Sequence, residues 1–340
     1  MQITNKPGVS ECWVRAVSKN EHEHLGDRSL TEILSPIRIY QLKKRHADEF
    51  TEDVSDCIWS LLGSAVHYIL EKSSGNGAIT EQRFNVEIGG YSLSVCPDRV
   101  EKLPLERCQA YWNQDISQPI EVDGRMQYPW GQQLYALRDF KISQVYARNM
   151  LHKEGKGEWT WQINGYAWAL CQIGLPVVEA SIEILMKDWD WMEANVKHTY
   201  QYPPYQVESV PVQLYNRESV EAFLRERIQE HMAHDATPDD QLPYCTEQER
   251  WATRDLFAVK RAGGDKAMSG GSKFDTKTDA EQFVEQAIQK GLNKKGKLRE
   301  VLSQSNFEIE FRKGNSRRCE RYCLCKNVCS QYLTMINPAF

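Results

Sequence analysis

Apolar residues recur along the chain with the two spacings that separate helices from strands. Residues 56–72 carry them at helical intervals, which predicts an amphipathic helix with His67 on its polar face. Residues 84–95 alternate apolar and polar positions around Gly89-Gly90, which predicts a β-hairpin with a tight turn. The first hundred residues are therefore expected to combine helix with antiparallel strands.

Residues 134–142 (LYALRDFKI) have the pattern of a buried strand with charges inside an apolar run. Because strand side chains alternate between faces, Asp139 and Lys141 are predicted to project side by side. Burying such a pair costs free energy unless a cation or a substrate uses it. This strand is therefore the first candidate for a functional site, and a structural salt bridge is the simpler alternative.

The remaining pattern alternates between helices and strands, which is typical of an α/β fold with a central mixed β-sheet flanked by helices. The predicted segments are a helix within 29–50, an irregular insertion or extended hairpin at 101–132, a helix at 159–174, a strand at 177–186, an extended stretch at 202–216 and a helix at 217–234.

A change in composition at Pro243 predicts a core of residues 1–242 and a small domain of residues 243–340 with a β-β-α-β pattern and a cysteine-rich end. Residues 245–329 contain 18 Lys and Arg against 12 Asp and Glu, a balance of +6, whereas the rest of the chain has a balance of −11. An acidic body with a basic attachment suggests a polyanionic partner, and a solvated surface with chance clustering is the equal alternative.

Overall composition favours a globular protein: the chain has 340 residues, 41% hydrophobic and 26% charged. No apolar run approaches the ~20 residues of a membrane span, and the first residues (MQITNKPGVSECW) lack the apolar core of a signal peptide. We therefore expect an intracellular, cytoplasmic protein with no membrane association. Its ten cysteines are then not expected to form a disulfide framework, and grouped cysteines are expected to bind a metal or cluster.

The residue types that metal-dependent phosphodiester hydrolysis requires are present at the edges of these predicted elements. The carboxylates of Asp98 and Asp139, at adjacent strand ends, can share a hard cation, and the imidazole of His67 can complete a shell compatible with Mn²⁺. Lys141 can orient a water molecule and stabilise developing negative charge. The acid-x-lysine triplets and histidines elsewhere lie in polar stretches and are expected to be solvated: 154–156, 275–277, His22, His24, His231 and His234.

The order of these motifs resembles the RecB-type branch of the PD-(D/E)XK nucleases, over roughly residues 30–330. It is closest to phage-encoded, CRISPR-associated-type exonucleases, which also carry KDW, YP and R-C-x-x-Y-C segments, here at 187–189, 202–203 and 318–323. The residues that carry the resemblance are His67 in GSAVHYILE, Asp98 in YSLSVCPDRVE, Asp139 and Lys141 in LRDFKIS, and Gln162 and Tyr166 in QINGY.

The resemblance implies a metal-dependent DNA exonuclease of phage DNA recombination or processing, acting on single-stranded DNA or duplex ends, with a phage single-strand annealing protein as a partner. Two other classes stay open: a non-catalytic nucleic-acid-binding or scaffold protein on the same fold, and a structure-specific endonuclease. The site roles implied are one or two Mg²⁺ or Mn²⁺ ions bound by His67, Asp98, Asp139 and the Phe140 carbonyl, water positioning by Lys141, and bracing or DNA-backbone contact by Gln162 and Tyr166.

The chain departs from the family pattern at two points. Cys96 stands two residues before the aspartate, where the family often has glycine, and the segment between Asp98 and Asp139 is unusually long. Asp123 is therefore an alternative first aspartate. Glu71 and Glu81 are candidates to support the metal ligands, with ordinary exposed carboxylates as the alternative.

Three cysteines near the end of the chain follow a C-x3-C-x5-C spacing, Cys319, Cys323 and Cys329, with Cys325 between them. Grouped thiolates of this kind suggest a metal centre. Related nucleases hold a [4Fe–4S] cluster with a fourth, distant cysteine. The resemblance to a C-T-x-x-E-R-W segment assigns that ligand to Cys245, with Cys57 and Cys12 as alternatives, and zinc is the alternative metal.

Overall fold

Two units make up the chain in the computed structural model, Met1–Pro238 and Asp239–Phe340, whereas the composition change had suggested a boundary between 242 and 243. No helix among the described residues is long and apolar enough to cross a membrane. The structure describes residues 2–18, 26–73, 75, 77–112, 120–122, 125–127, 132–155, 157–197, 202–268, 271–290 and 303–337.

The first unit is a mixed α/β assembly. Its strands are β1 (Gln2–Thr4), β2 (Arg28–Ser29), β3 (Thr51–Asp53), β4 (Ile79–Thr80), β5 (Phe84–Ile88), β6 (Tyr91–Val95), β7 (Arg99–Lys102), β8 (Ile120–Val122), β9 (Arg125–Gln127), β10 (Tyr135–Ser143), β11 (Val177–Met186) and β12 (Val207–Pro211). Its helices are α1 (Glu11–Ser18), α2 (Leu30–Ile33), α3 (Ile37–Arg45), α4 (Ile58–Lys72), α5 (Leu105–Trp112), α6 (Val145–Glu154), α7 (Gly157–Gln172), α8 (Trp191–Asn195) and α9 (Arg217–Ala233).

The central sheet has the strand order β12-β11-β10-β7-β4. Strands β10 and β11 run parallel, and the other neighbours pair antiparallel. The apolar runs of the two parallel strands are buried, with Leu137, Ile182 and Ile184 inaccessible to solvent in one core that also contains Ile163 and Leu170 of α7. The prediction of a mixed α/β sheet flanked by helices is confirmed.

The predicted hairpin is formed by β5 and β6, paired from Phe84–Val95 to Ile88–Tyr91. Its turn residues Gly89 and Gly90 have φ angles of 61° and 79°. Positive φ at both central positions is what a type I′ turn requires and what glycine adopts without strain. The second strand of the hairpin is followed by Asp98 and then by β7, which begins at Arg99.

Four helices of the first unit were not predicted: α1, α5, α6 and α8. Helix α5 follows Pro104, whose carbonyl accepts the N–H groups of Arg107 and Cys108 at 2.9 and 3.0 Å. Cys108 is the buried residue of this helix, which lies in the segment expected to be an irregular insertion or an extended hairpin. Strands β8 and β9 of the same segment pair antiparallel, as the hairpin alternative predicts. Helix α6 likewise buries only Val145 and Leu151 among its residues.

His231 lies in the core, so the expectation that it is exposed was wrong. Its side chain has no solvent exposure, and its Nε2 lies 3.2 Å from the Ser35 carbonyl oxygen and 3.3 Å from a guanidinium nitrogen of Arg227. The Tyr40 ring packs edge-on against it. Burial and the guanidinium groups of Arg227 and Arg28 lower the pKa of His231 to about 4.

The second unit contains the predicted β-β-α-β arrangement. Strands β13 (Leu256–Arg261), β14 (Lys273–Phe274) and β15 (Phe307–Arg312) form an antiparallel sheet in the order β14-β13-β15. Helix α10 (Lys277–Lys290) covers it through a small core that includes Val259, Val284 and Phe307. The short helices α11 (Arg317–Arg321) and α12 (Ser330–Ile336) follow.

The lowered pKa of His231 predicts how stability depends on pH. Well above pH 6.5 the histidine is neutral in both the folded and the unfolded state, so its contribution to stability is complete. As the pH falls from 6.5 towards 4, the unfolded chain binds a proton that the folded chain excludes, and stability falls. Between pH 7 and pH 5 the loss from this group should be about 2 kcal/mol.

Urea unfolding of wild type and a His231→Gln variant at pH 7 and pH 5 measures this loss. The variant should lose about 2 kcal/mol less than wild type on acidification. Identical acid sensitivity in wild type and His231→Gln would contradict the assignment.

Candidate functional site

The pairing of β7 with β10 brings two aspartates together. Arg99 pairs with Arg138, so the preceding Asp98 lies across from Asp139, the next residue of β10. The Phe140 N–H donates to Asp98 Oδ2 at 2.6 Å, which fixes that carboxylate against the strand. Residues separated by the long 101–132 segment therefore meet at neighbouring positions of one sheet.

Asp139 and Lys141 lie on the same face of β10, with Lys141 Nζ 2.6 Å from Asp139 Oδ2. The Asp139 side chain is 1% exposed, and among the described residues no group makes a well-aligned hydrogen bond to either of its oxygens. A buried carboxylate is costly unless charge and hydrogen bonds compensate it. The lysine supplies one positive charge, and the remaining lone pairs suit a cation.

His67 reaches this sheet from helix α4. Its Nε2 lies 3.2 Å from the Phe140 carbonyl oxygen, and its Nδ1 lies 3.2 Å from Glu81 Oε1 and 3.8 Å from Asp98 Oδ1. The hydrogen bond with Glu81 and the charge of Asp98 raise the pKa of His67 against the opposing effect of burial. The imidazole thus joins the two carboxylates and the strand backbone.

Glu81 is the residue whose importance the sequence pattern understated. The ligand atoms of His67, Glu81 and Asp98 all lie within 4.8 Å of one another, so this group can hold a metal ion. Glu81 has a φ of 46°, a left-handed conformation that is uncommon for residues other than glycine. Its N–H donates to the Asp98 carbonyl oxygen at 3.3 Å, so backbone pairing holds the two acids side by side.

The electrostatics of the site favour a bound positive charge. Burial and the nearby charge of Asp139 raise the pKa of Asp98 to about 7, although Lys141 and His67 oppose the shift. Without a bound cation, the carboxyl group of Asp98 is therefore partly protonated near neutral pH. A divalent cation beside these oxygens favours their ionised forms, which is the electrostatic complement of the site.

Gln162 and Tyr166 share a face of α7, as their i,i+4 spacing predicts. Gln162 Nε2 donates to the Tyr166 hydroxyl oxygen at 3.1 Å. Tyr166 is buried, and burial together with the charges of Asp139 and Asp98 raises its pKa above the usual range. The hydroxyl is therefore protonated, within electrostatic range of the acidic pair.

The other candidates near the site have simpler environments. Cys96 Sγ lies 3.8 Å from Glu81 Oε2, and burial and this acid raise the thiol pKa to about 11, so a neutral thiol is accommodated where the family often has glycine. Glu71 Oε1 lies 3.0 Å from Lys72 Nζ on the same helix and is not part of the metal-binding group. Asp123, with His22 and His24, lies outside the described residues.

The KDW and YP segments contact each other beside the central sheet. Asp188 Oδ1 accepts the Val145 N–H at 2.7 Å at the start of α6. Trp189 Nε1 donates to the Pro203 carbonyl oxygen at 2.9 Å, and the Asp190 N–H donates to the Tyr202 hydroxyl at 2.7 Å. Hydrogen bonds from the KDW segment therefore fix the start of α6, which follows β10, and hydrogen bonds with the YP segment fix the turn that follows β11.

Four cysteines of the second unit lie within electrostatic range of one another. Burial and the negative charges of Glu249, Cys329, Cys319 and Cys323 raise the pKa of the Cys245 thiol to about 12. The Gln331 side chain accepts the Cys245 N–H at 2.8 Å and donates to its carbonyl at 2.9 Å. The segment of Cys245 is thus fixed to the segment that bears the other three thiols, and such a donor set suits a thiophilic metal or cluster.

No protein-family model matches the chain, and no curated protein matches it. Among solved structures, one described as the crystal structure of SSO0001 aligns with 67% of this chain and 86% of its own, with 12% sequence identity and a TM-score of 0.37. A likeness at this level carries no argument about activity. The chemistry of the site rests on the geometry of its own residues.

The His67–Glu81–Asp98 group predicts a measurable cation affinity. Replacing Glu81 with glutamine should weaken Mn²⁺ binding by about tenfold, because a negative charge beside two other ligands is removed. Calorimetric titration of Mn²⁺ measures the effect. Glu87→Gln, which changes an exposed carboxylate of β5, is the matched control and should bind like wild type. Equal affinity in Glu81→Gln and wild type would exclude Glu81 from the site.

Proposed function

We propose that this chain is a Mg²⁺- or Mn²⁺-dependent DNA exonuclease. The observation that carries the proposal is the convergence of Asp98, the buried Asp139–Lys141 pair and His67 at one point of the central sheet. Acids, an imidazole and an ammonium group in one place are the groups that metal-assisted phosphodiester hydrolysis uses.

The residues present fit a hard divalent cation. Carboxylate oxygens of Asp98 and Asp139, the Phe140 carbonyl and an imidazole nitrogen of His67 would hold it, with Glu81 in reach of the same position. Oxygen ligands with a single imidazole suit Mg²⁺ and Mn²⁺. When bound, such an ion polarises the phosphoryl oxygen and lowers the pKa of a coordinated water.

The chain's own residues supply positioning and charge stabilisation. Lys141, held 2.6 Å from Asp139, places an ammonium group where it orients the attacking water and stabilises negative charge on the phosphate. The protonated hydroxyl of Tyr166, held by Gln162, serves as a hydrogen-bond donor beside the acids. Glu81 restrains the His67 ring through Nδ1, which leaves Nε2 directed at the Phe140 carbonyl.

DNA is the substrate best supported by the distribution of charge. The balance of +6 over residues 245–329 provides sequence-independent attraction to a phosphate backbone. This attraction gives no preference for one base sequence, which suits an enzyme that digests DNA from its ends. We therefore propose that the phosphodiester hydrolysis at this site acts on the ends of DNA.

We also propose that Cys245, Cys319, Cys323 and Cys329 hold a [4Fe–4S] cluster with a structural role. Support comes from the mutual proximity of the four thiols and from the hydrogen bonds that join the Cys245 backbone to Gln331. Ligation would close a loop of more than seventy residues and so restrict the unfolded chain.

The catalytic proposal predicts that Lys141→Ala and Asp139→Asn each reduce cleavage of end-labelled DNA by at least about 100-fold. Cleavage should need Mg²⁺ or Mn²⁺ and stop with EDTA. Lys102→Ala, which changes an exposed lysine of the neighbouring β7, should retain wild-type activity. Near-wild-type cleavage by a folded Lys141→Ala protein, or cleavage that survives exhaustive chelation, would overturn the proposal.

The cluster proposal predicts a brown protein after anaerobic purification, with about four irons per chain. Cys245→Ser and Cys319→Ser should each lose the iron, because each removes a ligand, whereas Cys171→Ser in the first unit should keep it. Colourless protein with stoichiometric zinc would replace the cluster by a zinc site. Iron kept by Cys245→Ser and lost by Cys57→Ser or Cys325→Ser would show a different fourth ligand.

A further inference from the structure

Two large aromatic side chains are held on the surface of the second unit beside the four thiols. Trp251 is 39% exposed and Tyr322 is 59% exposed, and their rings meet edge to face with centroids 5.5 Å apart. The guanidinium carbon of Arg318 lies 5.2 Å from the centre of the Trp251 ring. We call Trp251, Arg318 and Tyr322 the aromatic–arginine surface.

The backbone keeps Trp251 in this place at a conformational cost. Its φ angle is 51°, in the left-handed region that a bulky residue seldom adopts. Hydrogen bonds on either side impose it: the Trp251 N–H donates to the Gln248 carbonyl at 3.1 Å and the Ala252 N–H donates to the Glu247 carbonyl at 2.9 Å. Strain of this kind persists where surrounding structure enforces it, and it concentrates at ligand-binding positions.

Helix α11 places positive charge beside these rings, whereas the turn that carries Trp251 contains Glu247 and Glu249. Helix α11 carries Arg317, Arg318 and Arg321 against one acid, Glu320. Glu320 Oε1 accepts the Ser316 N–H at 3.2 Å, so this carboxylate is engaged with the backbone at the start of its own helix. Exposed aromatic rings among arginines have the composition of a surface that binds unpaired nucleotides, with rings for the bases and guanidinium groups for the phosphates.

We propose that the aromatic–arginine surface binds single-stranded DNA, with a base stacked on Tyr322 and Trp251 and with Arg317 and Arg321 neutralising phosphates. A single strand is the fitting occupant because bases within a duplex already cover one another's faces. The proposal rests on the proposed function only in taking DNA as the ligand, and it does not depend on cleavage. It gives the enzyme a holding site in a unit separate from the one that carries the proposed catalytic residues.

The test is fluorescence anisotropy with a labelled oligothymidylate in EDTA, where no cleavage occurs, so that an inactive catalytic site cannot alter the result. Tyr322→Ala and Trp251→Ala should each weaken binding by at least about fivefold, because each removes a stacking partner. Tyr322→Phe keeps the ring and should bind within about twofold of wild type. Phe311→Ala, which removes another exposed aromatic of this unit, should leave binding unchanged.

An abasic oligonucleotide of equal length separates stacking from charge. Wild type should bind it at least about fivefold more weakly than oligothymidylate, and Tyr322→Ala should discriminate less between the two. Unchanged metal content and thermal unfolding in the variants would show that the second unit remains folded. Equal binding of both probes by wild type, or unchanged binding by both alanine variants, would overturn the proposal.

Discussion

The approach of two buried carboxylates across one pair of strands governs the first unit. Asp98 and Asp139 face each other because β7 and β10 pair in a register that continues through them, and neither can be ionised cheaply beside the other without positive charge. Lys141 on the same strand and His67 on α4 supply part of that charge. The Phe140 N–H supplies a hydrogen bond. The residues of this site could hold a metal ion, and a hard cation would complete the charge balance on which the proposed chemistry depends.

Local pattern was enough to predict the elements that carry this site. Strand alternation placed Asp139 and Lys141 on one face, the turn at Gly89-Gly90 predicted the hairpin, and the i,i+4 spacing paired Gln162 with Tyr166. Each of these inferences uses contacts between residues close in sequence. The helix of residues 105–112 escaped prediction because it is only eight residues long and buries one side chain.

Contacts between residues that are distant in the sequence could not be predicted from the pattern of apolar and polar positions. Glu81 enters the metal-binding group because its backbone pairs with Asp98 and its φ is positive, neither of which is visible in the sequence TEQRF. His231 lies in a polar-looking stretch, yet α9 packs it against Ser35 from almost two hundred residues away. In the second unit, spacing grouped three cysteines, whereas the approach of Cys245 depends on its backbone hydrogen bonds with Gln331.

The central claim is that one divalent cation lies between α4 and β10. The most direct measurement is a crystal structure of the protein with Mn²⁺, with diffraction data collected on both sides of the manganese absorption edge. The account predicts an anomalous peak within about 2.5 Å of an Asp98 oxygen and the Phe140 carbonyl oxygen, with His67 completing the shell. A well-ordered site without a peak, with the Lys141 ammonium in that position, would contradict it.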